Sequence, residues 1–484
     1  MKTLTIALTL ALSLTTLSAQ NVTTTPVFVV PGVAKVAGFS GSFFHTSIWM
    51  TNPNDSPIVV RLRYIPGAGF TRAGAVDTEP ITIGPHTMMT FDDLLTDTFH
   101  ATANTGGVAI VEAADAAAIP LVTARTFNDT PGGTFGQFIE AMPIPSTPTG
   151  ETWIDGLAGD SASRTNVGIV NFGASDLTAT LSLFNPAGVK IGNDVQATAP
   201  PHSSIQIGAI QTAAGLGNVP AFSVRATSSG VYALYASKLD NVTSDPIFIT
   251  SLPARTTQWI DGVGSLPGAG GTFFRSSLSL ANHQSTTAHV RVAFLISGQT
   301  TPPQSVDIVL GSGESRFYGN VIGDLFNASN AEGTLVLVSD NPVTAWTRTY
   351  NDRGALGTLG QFIPSFGSDD LIGANGVILQ GLSENESFRT NAGFVNVGNQ
   401  DAVVIALAWS STQLLPALNL YLVRPGQPLF IGSILEDLGV APQTNAYLQL
   451  ATTPSDLVYA WASYVDNKST DQTFIRPIRI GGPQ

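Results

Sequence analysis

From Thr178 the chain reads TATLSLFNP, and from His289 it reads HVRVAFLIS, with apolar and polar residues taking turns. A period of two puts successive side chains on opposite sides of an extended backbone, so these runs predict strands with one face in a core and one in water. Similar runs fill most of the chain, and Gly and Pro clusters between them supply the turns. Four short pieces break the alternation and read as helical turns: DDLLTDTF from Asp92, AIQTAAGLG from Ala209, NVIGDLF from Asn320 and SILEDLG from Ser433.

The strand runs repeat. ARTFNDTPGGTFGQFI from Ala124 returns as TRTYNDRGALGTLGQFI from Thr347, GSFFHTSIWMTN from Gly41 as GTFFRSSLSLAN from Gly271, and KLDNVTSDPIFI from Lys238 as YVDNKSTDQTFI from Tyr464. The separations are 223 (Asn128 to Asn351), 230 (Phe43 to Phe273), 225 (Arg164 to Arg389) and 226 (Asp240 to Asp466), one period with small insertions. Inside it a finer repeat appears, since WIDG begins at both Trp153 and Trp259. Repeats of this kind predict four modules, at 26–148, 150–254, 256–368 and 370–484, with the third copying the first and the fourth copying the second.

Each module also opens a strand with Arg or His and closes it with Asn: His45 and Asn52, Arg164 and Asn171, Arg275 and Asn282, Arg389 and Asn396. Each pair is separated by seven, an odd step that sends the two side chains to opposite faces. The Asn reads as a strand terminator whose amide bonds nearby backbone. Arg164, Arg275 and Arg389 could bond loop carbonyls, stack on a ring or meet an acidic ligand. His45 alone at this position could change charge near neutral pH.

Roughly seven short strands per hundred-odd residues fit an antiparallel sandwich. With its tandem period, the chain resembles the secreted bacterial multi-module proteins built from immunoglobulin-like β-sandwiches. The resemblance implies an all-β fold of four such modules, each with one short helix, arranged as a duplicated two-module unit, and a surface, adhesion or scaffold role. It carries over no individual functional residue. The chain departs from antibody domains in having no Cys pair and in the inserted helical turn.

The ends and composition bear on compartment. MKTLTIALTLALSLTTLSAQ has a Lys, an apolar run and small residues, the layout of a signal peptide at 1–19. No later apolar stretch is long enough to predict a spanning helix. The chain has no Cys, so disulfides, thiolate metal sites and N-terminal lipidation at Cys are excluded. An exported Cys-free chain points to a bacterial protein, secreted, extracellular or at the cell surface, or periplasmic. A net charge of −13 disfavours nucleic acid and anionic lipid as partners.

Candidate chemistry is sparse. There is no Ser elbow, no His-Glu-x-x-His and no phosphate loop. The closest His pair, His283 and His289, reads as two solvated imidazoles. Asp240 with Asp245 in DNVTSD, and Asp466 with Asp471 in DNKSTD, could supply oxygens to calcium, or could be ordinary Asx-type hairpin loops. No other cofactor is indicated. Trp153 and Trp259 sit near module boundaries and are expected to pack modules together, while Trp49, Trp346, Trp409 and Trp461 sit in strand patterns and read as core. The sequence therefore predicts an exported, noncatalytic structural or adhesive protein, with a surface polymer or polysaccharide as partner, or self-association head to tail. The alternatives are a lectin-like carbohydrate binder and a secreted hydrolase.

Overall fold

A computed structural model describes residues 23–481 except 39–40, 71–74, 102–103, 146, 148, 269–270 and 300–302. The leader-like segment lies outside the described residues. The rest is almost entirely antiparallel β, folded as four consecutive sandwiches. In the second, Gly150–Gly159, Val219–Ser228, Leu177–Phe184 and Lys190–Ala199 form one sheet, and Ser204–Ile207, Ser163–Asn171, Tyr232–Asp240 and Pro246–Thr250 form the facing one. The others follow the same plan. In the third, one 22-residue strand, Ala331–Asp352, bends from one sheet into the other.

Alternation is obeyed where the pattern predicted it. Val290, Val292 and Phe294 are buried while His289 and Arg291 are exposed. Each such large side chain contributes about 1.5–3 kcal/mol by leaving water. The four helical turns form at Leu94–Asp97, Ile210–Ala213, Val321–Phe326 and Ile434–Asp437. Asp93 and Asn320 cap two of them, accepting from Thr96 N–H and Gly323 N–H.

The recurring Asn does more than end a strand. In all four modules it is buried, and its Nδ2 donates across the sandwich to several carbonyls. Asn171 bonds Ser175 O at 2.7 Å, Ala199 O at 3.1 Å and Pro200 O at 2.9 Å. Asn282 reaches Thr286, Leu310 and Gly311, and Asn52 reaches Ser56, Ile83 and Gly84. Asn396 reaches Gln400 and Val423. Meanwhile the Oδ1 atoms accept from backbone N–H two residues on, in Asn54, Gly173, Gln284 and Gly398. One amide thus ties a local turn to a loop some thirty residues away, which requires both its donor and its acceptor.

The four sandwiches close into a ring, not a rod. The first strand of each module carries a bulge at a Gly with positive φ: Gly32 (62°), Gly156 (70°), Gly262 (75°) and Gly381 (74°). An aromatic ring of the next module rests on each. A Cβ at Gly156 would lie 2.5 Å from Trp346, at Gly262 2.9 Å from Trp461 and at Gly381 2.9 Å from Trp49, while Gly32 faces Phe248 at 3.8 Å. Only Gly supplies both the left-handed backbone and the bare surface. The residue before three of these glycines also bonds the neighbour. Asp155 accepts from Thr344 at 2.9 Å and contacts His283 at 3.0 Å, Asp261 accepts from Trp461 Nε1 at 2.7 Å, and Gln380 donates to Thr123 at 3.0 Å. WIDG is therefore a joining motif.

Because Gly381 receives Trp49, the fourth module closes on the first. A head-to-tail filament would need that surface, which is already occupied within the chain. Rings Phe138, Phe248, Phe362 and Phe474, one from each module, line a narrow cavity where all four meet. Ser237 donates to Gln137 at 2.9 Å and Ser463 to Gln361 at 2.7 Å beside it.

Candidate functional site

The four acidic residues singled out from sequence all lie at the joins. Asp240 Oδ1 accepts from Val242 and Thr243 N–H at 2.8 and 2.9 Å, the Asx geometry, while its Oδ2 accepts from Thr358 N–H and Oγ1 of the third module at 2.9 and 2.8 Å. Asp466 repeats this with Lys468, Ser469 and, across the other join, Thr134. Burial works against their charge, but these donors hold both carboxyls below the usual range. Asp245 Oδ2 accepts from Arg348 at 2.8 Å and from Gly360 N–H at 2.9 Å. Asp471 Oδ2 accepts from Gly136 N–H at 3.0 Å, with Arg125 at 3.8 Å.

Asp245 and Asp471 also touch each other, so two fully buried carboxyls meet from opposite halves of the ring. Burial pushes Asp245 up to about 6, against the pull of Arg348, and raises Asp471 further, helped by the charge of Asp245. Their remaining oxygens have no other partner. Such a pair holds a proton between them. Among the described residues no group of three or more His, Asp or Glu is gathered as a metal-holding cluster.

The recurring cations face loops. Arg164 donates to Asn241 at 2.9 Å, Arg389 to Asn467 at 2.6 Å and Arg275 to Asp352 at 2.6 Å. His45 instead packs edge-on against Phe127, ring centres 4.0 Å apart, and burial lowers its pKa despite the nearby Asp93 and Asp129. Two expectations need correcting. Trp49, Trp346 and Trp461 serve the joins rather than a module's own core, and His283 is not solvated but is 11% exposed, stacked on Trp153 at 4.1 Å and bonded to Asp155. Trp153 does bridge modules, whereas Trp259 stacks on Phe366.

A cleft of about 830 Å³ lies between the first and fourth modules. Its first-module wall carries His45, Trp49, Phe127 and the carboxylates Asp92, Asp93, Asp97 and Asp129; the fourth module adds Asn385, Glu386, Phe388 and Tyr464. Phe388 stacks on Tyr464 at 4.7 Å. Arg125 lies at the floor, 4.7 Å from the centre of Phe127 and 5.3 Å from that of Tyr464, and donates to Thr134 and Thr473. Carboxylates, amides and ring faces in an open cleft are groups for reversible binding. In the sequence Asp92 and Asp93 read as the start of a helical turn, and Asp129 falls in the repeated run ARTFNDTPGGTFGQFI. Nothing in the pattern joins them to Glu386 across more than 250 positions.

No protein-family model and no curated protein matches the chain. Among solved structures it is similar to a tetra-tandem repeat from the extending region of a large adhesion protein, at 10% identity over 88% of this chain and 92% of that one, with a TM-score of 0.11. It is also similar to the native conformation of E. coli alpha-2-macroglobulin, at 9% identity and a TM-score of 0.11, over 95% of this chain but only 35% of that one. Superpositions at that score say nothing about how modules are arranged.

Proposed function

We propose that the chain is an exported, noncatalytic structural or adhesive protein of the bacterial cell surface or extracellular space. The observation that supports this most is where the recurring side chains go. The Asn amides, the bulge glycines with their aromatic partners and the Asp240 and Asp466 loops are all used in shape and joining. A ring held at four joins is a rigid platform whose loops are free to vary, the arrangement in which loops carry specificity. A leader-like N-terminus and a Cys-free, acidic composition agree with export.

A second reading, lectin-like carbohydrate binding, is favoured by the rings of Phe127, Phe388 and Tyr464 along the cleft. The test is a panel of surface polysaccharides presented to the full mature chain, alongside fractionation of producing cells. Retention on one polymer, lost in Phe388→Ala, supports binding through the cleft. Recovery of the protein only from cytoplasm refutes the exported role, and turnover of any polymer in the panel refutes the noncatalytic one.

A further inference from the structure

Duplication supplies an internal control for the cleft. The join between the second and third modules is its twin, with Arg275 in the place of His45, Lys238 in that of Tyr464, Asp352 in that of Asp129 and Asp324 in that of Asp97. In the twin the chain provides its own cations. Arg275 pairs with Asp352 at 2.6 Å, and Lys238 donates to Gly156 O at 2.9 Å while its ammonium lies 5.4 Å from the centre of the Phe317 ring.

Between the first and fourth modules both cations are gone and the carboxylates remain. Arg125 is taken up by Thr134, Thr473 and Asp471, and Lys35 donates to Thr96 and lies 4.0 Å from Asp93. Asp92, Asp97, Asp129 and Glu386 are exposed, and among the described residues none of them is in an ion pair. Uncompensated carboxylates around a cleft draw in cations, and low-polarity ring walls strengthen that attraction.

We propose that this cleft binds an organic cation, a primary ammonium or guanidinium carried by a polyamine or a basic peptide side chain, in the place its twin fills with Arg275 and Lys238. Asp129 receives the charge as Asp352 receives Arg275, and Glu386 closes on it from the fourth module. The carboxylates are spread around a cleft of about 830 Å³ and do not converge as a compact metal shell, which favours an extended cation over a bare ion. A neutral sugar would leave the four carboxylates unanswered. The inference rests on taking this cleft as the binding face.

The test is calorimetric titration of the full chain with spermidine and, separately, with a tetralysine peptide. Binding of either is expected, weakening with added salt and at least tenfold weaker in Asp129→Asn and Glu386→Gln, both at exposed positions. The decisive variant is His45→Arg, which restores the twin's own cation. It should abolish binding while leaving the melting temperature unchanged or higher. Binding should also weaken as the pH falls and His45 gains charge. Preference for spermidine or for the peptide identifies the source of the cation. Unchanged affinity in His45→Arg, or no binding of either probe at millimolar concentration, overturns the proposal. Neutral oligosaccharide bound in the cleft and not displaced by spermidine also overturns it, but leaves the binding face standing.

Discussion

Replacing Asn171 by Ala removes three donated bonds and one accepted bond at a side chain that is 1% exposed. A hydrogen bond contributes about 1 kcal/mol net, and each buried group left without a partner costs about 1–3 kcal/mol. Ser175 and Gly173 lie in a turn that water can reach, so the largest penalty falls on Ala199 O, the bond buried at both ends. The expected loss is about 3–5 kcal/mol, a large part of a typical module's stability. Asn171→Asp is the sharper test. It keeps the size and the acceptor for Gly173 but points an oxygen at three carbonyls, so it should destabilise more than Ala does and recover partly in acid, where the carboxyl can donate. Urea denaturation followed by hydrogen exchange in the second module would measure both. A loss below about 1 kcal/mol for Ala, or an Asp variant as stable as the parent, would refute the tying role.

Other outcomes follow from the joins. Gly156→Ala would place Cβ 2.5 Å from Trp346 at φ 70°, whereas Gly426→Ala has the same handedness (64°) and nothing within 4 Å, so melting should drop much further for the first than for the second. Because Asp245 is raised to about 6, the folded ring keeps a proton that the unfolded chain releases near pH 4. Stability should therefore fall as pH rises from about 4 through 6, and Asp471→Asn, whose amide can donate to Asp245, should flatten that fall; an unaltered pH profile of melting would count against the shared proton. Chelator should leave melting unchanged, since the Asp240 and Asp466 oxygens are engaged by N–H and hydroxyl donors; a drop would restore calcium at these loops.

Strands were legible because alternation is a local property, as in 288–294, where every second residue is buried. The repeated Asn was legible as a scaffold position, but its bonds to a distant loop were not, since spacing along one strand carries no information about a loop thirty residues on. Trp346 and Trp461 read as core because a strand residue facing the next module has the same pattern as one facing its own sheet partner. WIDG was visible twice, yet its role was hidden. The first and fourth modules write it as VVPG and ILQG, keeping only the Gly that the bulge demands. Ring closure and the cleft depend on contacts between the chain's two ends, which no periodicity encodes.

Small-angle X-ray scattering of the mature chain measures that closure directly. A ring of four joined sandwiches predicts a radius of gyration of about 25 Å, close to that of a compact chain of this length, whereas four modules in line would give about 40 Å. A value near the larger figure, or one that moves continuously between the two with salt, would contradict the closed ring.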